Sequence, residues 1–374
     1  MGLCSVEHRY PTFGREFGGR GTAVPPPSLL CVLDLPASER YWMSFNVFVL
    51  AGSLLAILGA CYLFTNAVEW AGKRLNLSDG VVGSVLAGVG TAMPETMIPI
   101  VAILISSEKG ADMVGIGAIL GAPFMLSTLA LLVTGVSVYT FAALGRRSAA
   151  MNVDKSALGR DLSFFLLSYS LVVLAGLTDW RPAHIAIGVT VLVIYLIYLR
   201  QVFSDKGVMN GHVAPLYFDR RSAVPRALPI ILQIAISLAL IIGGAHYFVK
   251  ATVGVANIMQ ISPIVLSLII APIATELPEK ANSIIWTRQS KDTLALGNIT
   301  GAMVFQSTFP VTIGLLFTTW NLDKISLVSA TLALLSGVVN YVLLRVRGKI
   351  SPLQLVLSGI LYLVFIGHVI GGIR

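Results

Sequence analysis

The sequence predicts an all-α integral membrane protein, with ten transmembrane helices arranged as two inverted five-helix repeats. Three observations predict it. First, 56% of the 374 residues are hydrophobic and only 12% are charged, whereas soluble domains carry about a quarter charged residues; the mean hydropathy is +0.83. Second, apolar stretches of about 20 residues, long enough to cross a bilayer, follow one another from residue 43 onward. Third, a fixed offset lays one half of the chain on the other.

In chain order, residues 1–42 come first and differ from the rest. They hold Arg9, Arg15, Arg20, Arg40 and the run Pro25-Pro26-Pro27, with only the short apolar patch Leu29 to Leu33. That patch is too short and too late for a secretory signal. A disordered extension is expected, with Met43 a candidate alternative start that N-terminal sequencing would test. The first repeat, 43–203, holds apolar segments near 44–70, 80–106, 112–140, 162–178 and 183–203. A linker over 204–227 carries Asp205, Lys206, Asp219, Arg220, Arg221 and Arg226. The second repeat, 228–374, holds segments near 228–251, 262–287, 293–318, 325–345 and 352–372.

Loop charge sets the expected orientation. Loops after odd-numbered segments hold Lys73, Arg74, Arg146, Arg147, Arg220 and Arg221 among many basic residues; those after even-numbered segments hold only Lys109, Arg181 and Lys324, with Lys250 at a helix end. Positive loops stay cytoplasmic, which puts the linker inside and both termini outside, in the inner membrane of a prokaryotic cell. The same scatter of basic residues into short loops argues against a nucleic-acid surface. Cys4, Cys31 and Cys61 share no metal or redox spacing. No cofactor motif is present, and the oligomeric state is not readable.

The internal match is specific. A shift of 184 residues places Gly59 on Gly243, Phe64 on Phe248, Thr91 on Thr275, Pro94 on Pro278 and Glu95 on Glu279. A shift of 180 then places Gly117-x-Ile119-x-Gly121-Ala122 on Gly297-x-Ile299-x-Gly301-Ala302, and Ser127-Thr128 on Ser307-Thr308. With five helices per repeat, the second must enter the membrane from the opposite face. That is the plan of secondary transporters whose sites lie near the midplane between repeats.

Of 18 acidic residues, only Glu95, Glu276 and Glu279 fall well inside the expected membrane segments. Each costs about 3 kcal/mol at a helix centre, an expense a sequence tolerates where the groups face a polar cavity. Thr91 and Thr275 stand four residues before Glu95 and Glu279 and so share their helix faces. Pro94 and Pro278 withhold the amide that the carbonyls of Gly90 and Ala274 would otherwise receive. Carboxylates, hydroxyls and freed carbonyls are the hard oxygen ligands of Ca²⁺ and Na⁺. Lys280, four residues after Glu276, stands where it can neutralise it. Gln306 is a further candidate oxygen ligand, Asn298 lies on the same segment, and the glycines at 115, 117, 121, 297 and 301 are expected to let backbones approach closely.

Gly90-Thr91-Ala92-Met93-Pro94-Glu95 and Ala274-Thr275-Glu276-Leu277-Pro278-Glu279 resemble the two alpha-repeats of the calcium/cation antiporter superfamily, of which sodium/calcium exchangers are members. The family pattern is Gly-Thr-Ser-x-Pro-Glu, followed one helix later by Gly-Ser-Asn-x-x-Asn or Asp. The resemblance implies Ca²⁺ bound by the two glutamates, with Na⁺ on neighbouring hydroxyls and carbonyls, and makes Thr91, Glu95, Thr275 and Glu279 the matching ligands. This chain departs from the pattern at Ala92, Glu276, Ala122, Ala302, Leu126 and Gln306, so the expected site is asymmetric. The function expected is secondary active cation antiport: Ca²⁺ or another divalent ion against Na⁺ or H⁺, by alternating access. A proton-coupled divalent exchanger without Na⁺ dependence is the alternative, and a cation channel a more distant one. An enzyme is not expected, because no Ser/His, Cys/His or His-Glu-x-x-His arrangement occurs.

Overall fold

The computed structural model describes residues 36–75, 93–204, 214–222 and 224–372. Gly90, Thr91 and most of the extension expected over 1–42 lie outside the described residues. Among those described, the architecture is all-helical, with a single isolated bridge between Leu216 and Asp219. Eight helical stretches are long and apolar enough to cross a membrane, and Pro94–Ile105 and Pro263–Ile273 are shorter apolar segments.

Helix α1 (Ala37–Arg74) starts after Pro36, whose φ of −53° suits a helix entry. It begins earlier than residue 43 because Tyr41, Trp42 and Phe45 stack edge to face at 5.9 Å and belong to the helix. These rings are exposed, as aromatic side chains at a membrane boundary are. Helix α2 (Met93–Ile100) runs into a π-turn at Val101–Ile105. Helix α3 (Ala111–Met125) passes through a second π-turn, Leu126–Ala130, into α4 (Leu131–Ala143). Next come α5 (Lys155–Ala175) and α6 (Arg181–Ser204). The second half contains α7 (Ala227–Met259), α8 (Pro263–Thr275), α9 (Leu277–Arg288), α10 (Asp292–Gln306), α11 (Phe309–Phe317), α12 (Lys324–Arg347) and α13 (Pro352–Gly372).

Two apolar cores position these helices. One joins α1, α2, α3 and α7 through Leu54, Ile57, Ile98, Val101, Val114 and Phe248. The other, larger, holds α3–α6 and α10–α13 together around Phe124, Phe165, Tyr169, Met303 and Trp320. Helices α1 and α7 pack against each other along their lengths. The tail of the linker ties down one end of that pair: Asn66 Nδ2 and Trp70 Nε1 donate to the Ala214 carbonyl at 3.1 and 2.9 Å. Gln233 accepts from the Phe218 amide at 2.9 Å and donates to the Leu63 carbonyl at 2.8 Å.

The glycines divide. On α3, a Cβ at Gly117 would strike the Ile264 carbonyl oxygen, and one at Gly121 the Leu268 carbonyl oxygen and the Pro272 ring. Helices α3 and α8 therefore touch backbone to backbone, and Ser267 Oγ donates across the seam to the Val114 carbonyl at 2.7 Å. The expectation fails for Gly297, which has open space, and for Gly301, which meets only the Tyr198 hydroxyl at 3.6 Å. Equal sequence positions do not bring equal neighbours.

A buried carboxylate outside the expected segments also emerges. Helix α5 begins at Lys155, capped by Asp154, whose side chain accepts from the Ser156 and Ala157 amides. Asp161 therefore lies inside the helix and is buried. It accepts from Thr300 Oγ1 at 2.8 Å and Tyr198 Oη at 3.2 Å, with Arg160 Nε at 3.5 Å.

Candidate cation site

The segment expected as one helix over 262–287 is broken in two. Helix α8 stops at Thr275, Glu276 takes φ −88° and ψ 9°, and α9 restarts at Leu277 with Pro278 in its first turn. Proline is at home in a first turn, where its missing N–H has no helical partner in any case. Pro278 therefore restarts a helix rather than kinking one. The break turns the carbonyl end of α8 toward the junction, the end that favours cations.

Three glutamates gather around this break. Glu95 in the first turn of α2, Glu276 at the junction and Glu279 in the first turn of α9 are 5%, 1% and 6% exposed. Glu95 lies within electrostatic range of Glu279, Glu276 and Lys280. Among the described residues, neither carboxylate oxygen of Glu95, nor Glu276 Oε1, nor Glu279 Oε2 has a hydrogen-bond partner. Unpaired acceptors of this kind inside an apolar bundle are expensive. Lys280 Nζ donates to Glu276 Oε2 at 3.1 Å and approaches the Pro272 carbonyl at 3.4 Å. The direct side-chain hydrogen bond of the lysine thus goes to Glu276, and Glu95 and Glu279 feel its charge only through space.

The remaining expected ligands are mixed. Thr275 is buried and donates its hydroxyl to the Ala271 carbonyl at 3.0 Å, so only its lone pairs remain for a ligand. Gln306, at the end of α10, is 2% exposed with Oε1 unpartnered. Among the described residues no three His, Cys, Asp or Glu side chains close up tightly enough to hold a metal unaided. A cation here needs hydroxyl and carbonyl oxygens as well.

Two residues that the sequence reading named without a role lie near these glutamates. Asn298 on α10 donates Nδ2 to the Glu279 main-chain carbonyl at 3.1 Å and so fixes the turn that carries this glutamate. Its equivalent at the 180 offset is Ala118, which has no amide to give. On the other side, Pro99 has no N–H to offer the Glu95 carbonyl. Cys61 on α1 is buried within electrostatic range of Glu95 and Glu279.

The Ser-Thr pairs one helix later keep the same local geometry in both halves. Ser127 Oγ and Thr128 Oγ1 donate to the Phe124 carbonyl at 3.1 and 2.6 Å; Ser307 Oγ and Thr308 Oγ1 donate to the Val304 carbonyl at 3.0 and 2.7 Å. The first pair sits in the π-turn and the second at the break between α10 and α11. Irregular turns of this kind recur where helices serve a function.

Apolar helices long enough to cross a membrane, with buried acidic residues gathered at a broken one, have the form of a cation site in membrane carriers. The sodium/calcium exchanger protein family matches residues 45–203 and 229–371, and the chain belongs to that family. It is 23% identical over 334 residues to a putative antiporter, CaxA, of Alkalimonas amylolytica, covering 86% of this chain and 97% of that one. It is 22% identical over 285 residues to the sodium/calcium exchanger MaX1 of Methanosarcina acetivorans, covering 68% and 78%. Among solved structures, the H⁺/Ca²⁺ exchanger CAX superposes with a TM-score of 0.67 at 17% identity, over 91% of this chain and 87% of that one. The sodium-calcium exchanger NCX_Mj superposes at 0.53 and 19% identity, over 87% and 99%. These likenesses establish the exchanger fold.

Proposed function

We propose that the chain is a secondary active antiporter that carries Ca²⁺ or another divalent cation against Na⁺ or H⁺, with Glu95 and Glu279 as the carboxylates that bind it. The observation that carries the reading is a pair of nearly buried glutamates from helices at equivalent sequence positions, of whose four carboxylate oxygens three are buried with no hydrogen-bond partner among the described residues. Thr275, Gln306, the Ala274 carbonyl and, outside the described residues, Thr91 and the Gly90 carbonyl complete an oxygen-rich shell. The 184-residue offset, the matched Ser-Thr turns and the broken second half support a ten-helix, two-repeat inverted plan with alternating access. Loop charge supports an inner-membrane orientation with both termini outside.

Proton coupling is a second reading, and one observation favours it. Ala122, Leu126 and Ala302 stand where the family pattern carries hydroxyl or amide ligands, and Ala122 and Leu126 are fully buried apolar groups. Oxygen ligands for Na⁺ are fewer here.

Isotopic Ca²⁺ flux in proteoliposomes, driven by a Na⁺ gradient or by a pH gradient, separates the two couplings. In the same assay Glu95→Gln or Glu279→Gln abolishes exchange while the protein still inserts and purifies as a folded species. The change removes charge and keeps volume. Normal exchange by either variant overturns the site.

A further inference from the structure

Lys280 brings a basic side chain into a membrane site that is proposed to bind cations. Its Nζ touches one carboxylate oxygen, Glu276 Oε2 at 3.1 Å, and one main-chain carbonyl, Pro272 O at 3.4 Å. The two side chains are 9% and 1% exposed. A carboxylate and a carbonyl at the end of an interrupted helix make up the donor set that broken-helix carriers offer a small monovalent cation. A buried ion pair is weak as a stabilising device, since apolar residues of similar volume hold a fold together as well or better. Stability alone therefore gives no reason for the pair. The ammonium acts on Glu95 and Glu279 through space only: both oxygens of Glu95 and Oε2 of Glu279 remain without described hydrogen-bond partners.

We propose that the Lys280 ammonium is a tethered monovalent cation that occupies, beside Glu276, the position a free Na⁺ would otherwise fill, so that a divalent ion is carried without a monovalent companion. The inference rests on the proton-coupled form of the antiporter reading above, because a Na⁺-coupled carrier would show Na⁺ competing with Ca²⁺. It follows that three carboxylates and one ammonium present the divalent ion with the charge of two carboxylates, and that removing the ammonium reopens a monovalent site at Glu276.

The test is ⁴⁵Ca²⁺/Ca²⁺ self-exchange in proteoliposomes with choline or Na⁺ as the only other cation, because self-exchange needs no counter-ion gradient. The unaltered protein exchanges at the same rate in both salts. Lys280→Met, of similar length and uncharged, loses at least about tenfold of its rate in choline and recovers it in Na⁺, since each tenfold corresponds to one free-energy step that the missing charge supplied. The double variant Glu276→Gln/Lys280→Met, which removes both charges, again exchanges independently of Na⁺. Equal rates for Lys280→Met in the two salts, or loss of exchange in both salts, overturns the proposal.

A second readout needs no transport. In detergent, Na⁺ raises the unfolding midpoint of Lys280→Met more than that of the unaltered protein or the double variant, because a ligand bound to the folded state stabilises it. An equal rise in all three also overturns it. A complete lack of Ca²⁺ self-exchange by the unaltered protein instead sinks the antiporter reading, and the unfolding measurement still decides the role of Lys280.

Discussion

Replacing Arg147 with methionine tests how the site-bearing hairpin is anchored. Arg147, in the turn after α4, meets Asp292 at the start of α10 through two bonds, Nη1–Oδ1 at 2.6 Å and Nη2–Oδ2 at 3.0 Å. The side chains are 1% and 2% exposed. Arg147 Nη1 also donates to the Thr287 carbonyl at 2.8 Å, and the Asn152 amide donates to Asp292 Oδ2 at 2.9 Å. In Arg147→Met the aspartate keeps a single amide donor in a dry setting. An orphaned buried charge of this kind costs about 3–5 kcal/mol, a large share of the 5–15 kcal/mol that commonly separates folded from unfolded protein. Denaturant or thermal unfolding of purified protein in detergent measures the loss. Removing both partners in Arg147→Met/Asp292→Leu should restore most of it, leaving a deficit of about 1–2 kcal/mol for the lost bonds to Thr287 and Asn152. The reasoning is refuted if Arg147→Met lies within 1 kcal/mol of the unaltered protein, or if the double variant is as unstable as the single one.

Two further outcomes follow from packing and from the site. Gly121→Ala drives a Cβ into the Leu268 carbonyl and the Pro272 ring, and should cost about 1–3 kcal/mol of stability, whereas Gly301→Ala, with only the Tyr198 hydroxyl at 3.6 Å, should be neutral in the same unfolding assay. Asn298→Ala releases the Glu279 carbonyl at a cost of about 1 kcal/mol; the apparent affinity for Ca²⁺, read from flux against concentration, should fall by up to about tenfold while maximal exchange persists.

Hydropathy alone made the membrane class readable, because the cost of exposing backbone to lipid leaves long apolar helices as the solution. The break in the segment over 262–287 was marked by Pro278, and the pairing of Glu276 with Lys280 by their spacing of four. What stayed hidden was set by neighbours distant in sequence. Asp161 fell just outside the expected segment because Lys155, Arg160 and Asp161 itself lower the local hydropathy; only Thr300 and Tyr198, brought from two other helices, make it bearable inside α5. Gly297 and Gly301 match Gly117 and Gly121 in register, yet no backbone comes near them. Asn298 looked like one more polar residue until the fold placed the Glu279 carbonyl beside it.

The unequal glycines bear on how such a chain can evolve and be rebuilt. Halves that match in sequence could be taken as interchangeable. Here the first half packs α3 against a neighbour's backbone at Gly117 and Gly121, while the second keeps clear space at the matching positions and has an amide hook, Asn298, where the first has a methyl group. A gene encoding either half twice should therefore give no working carrier: one product would carry two welds and no hook, the other two hooks and no weld. The halves have become complementary parts, and drift in one constrains what the other can accept.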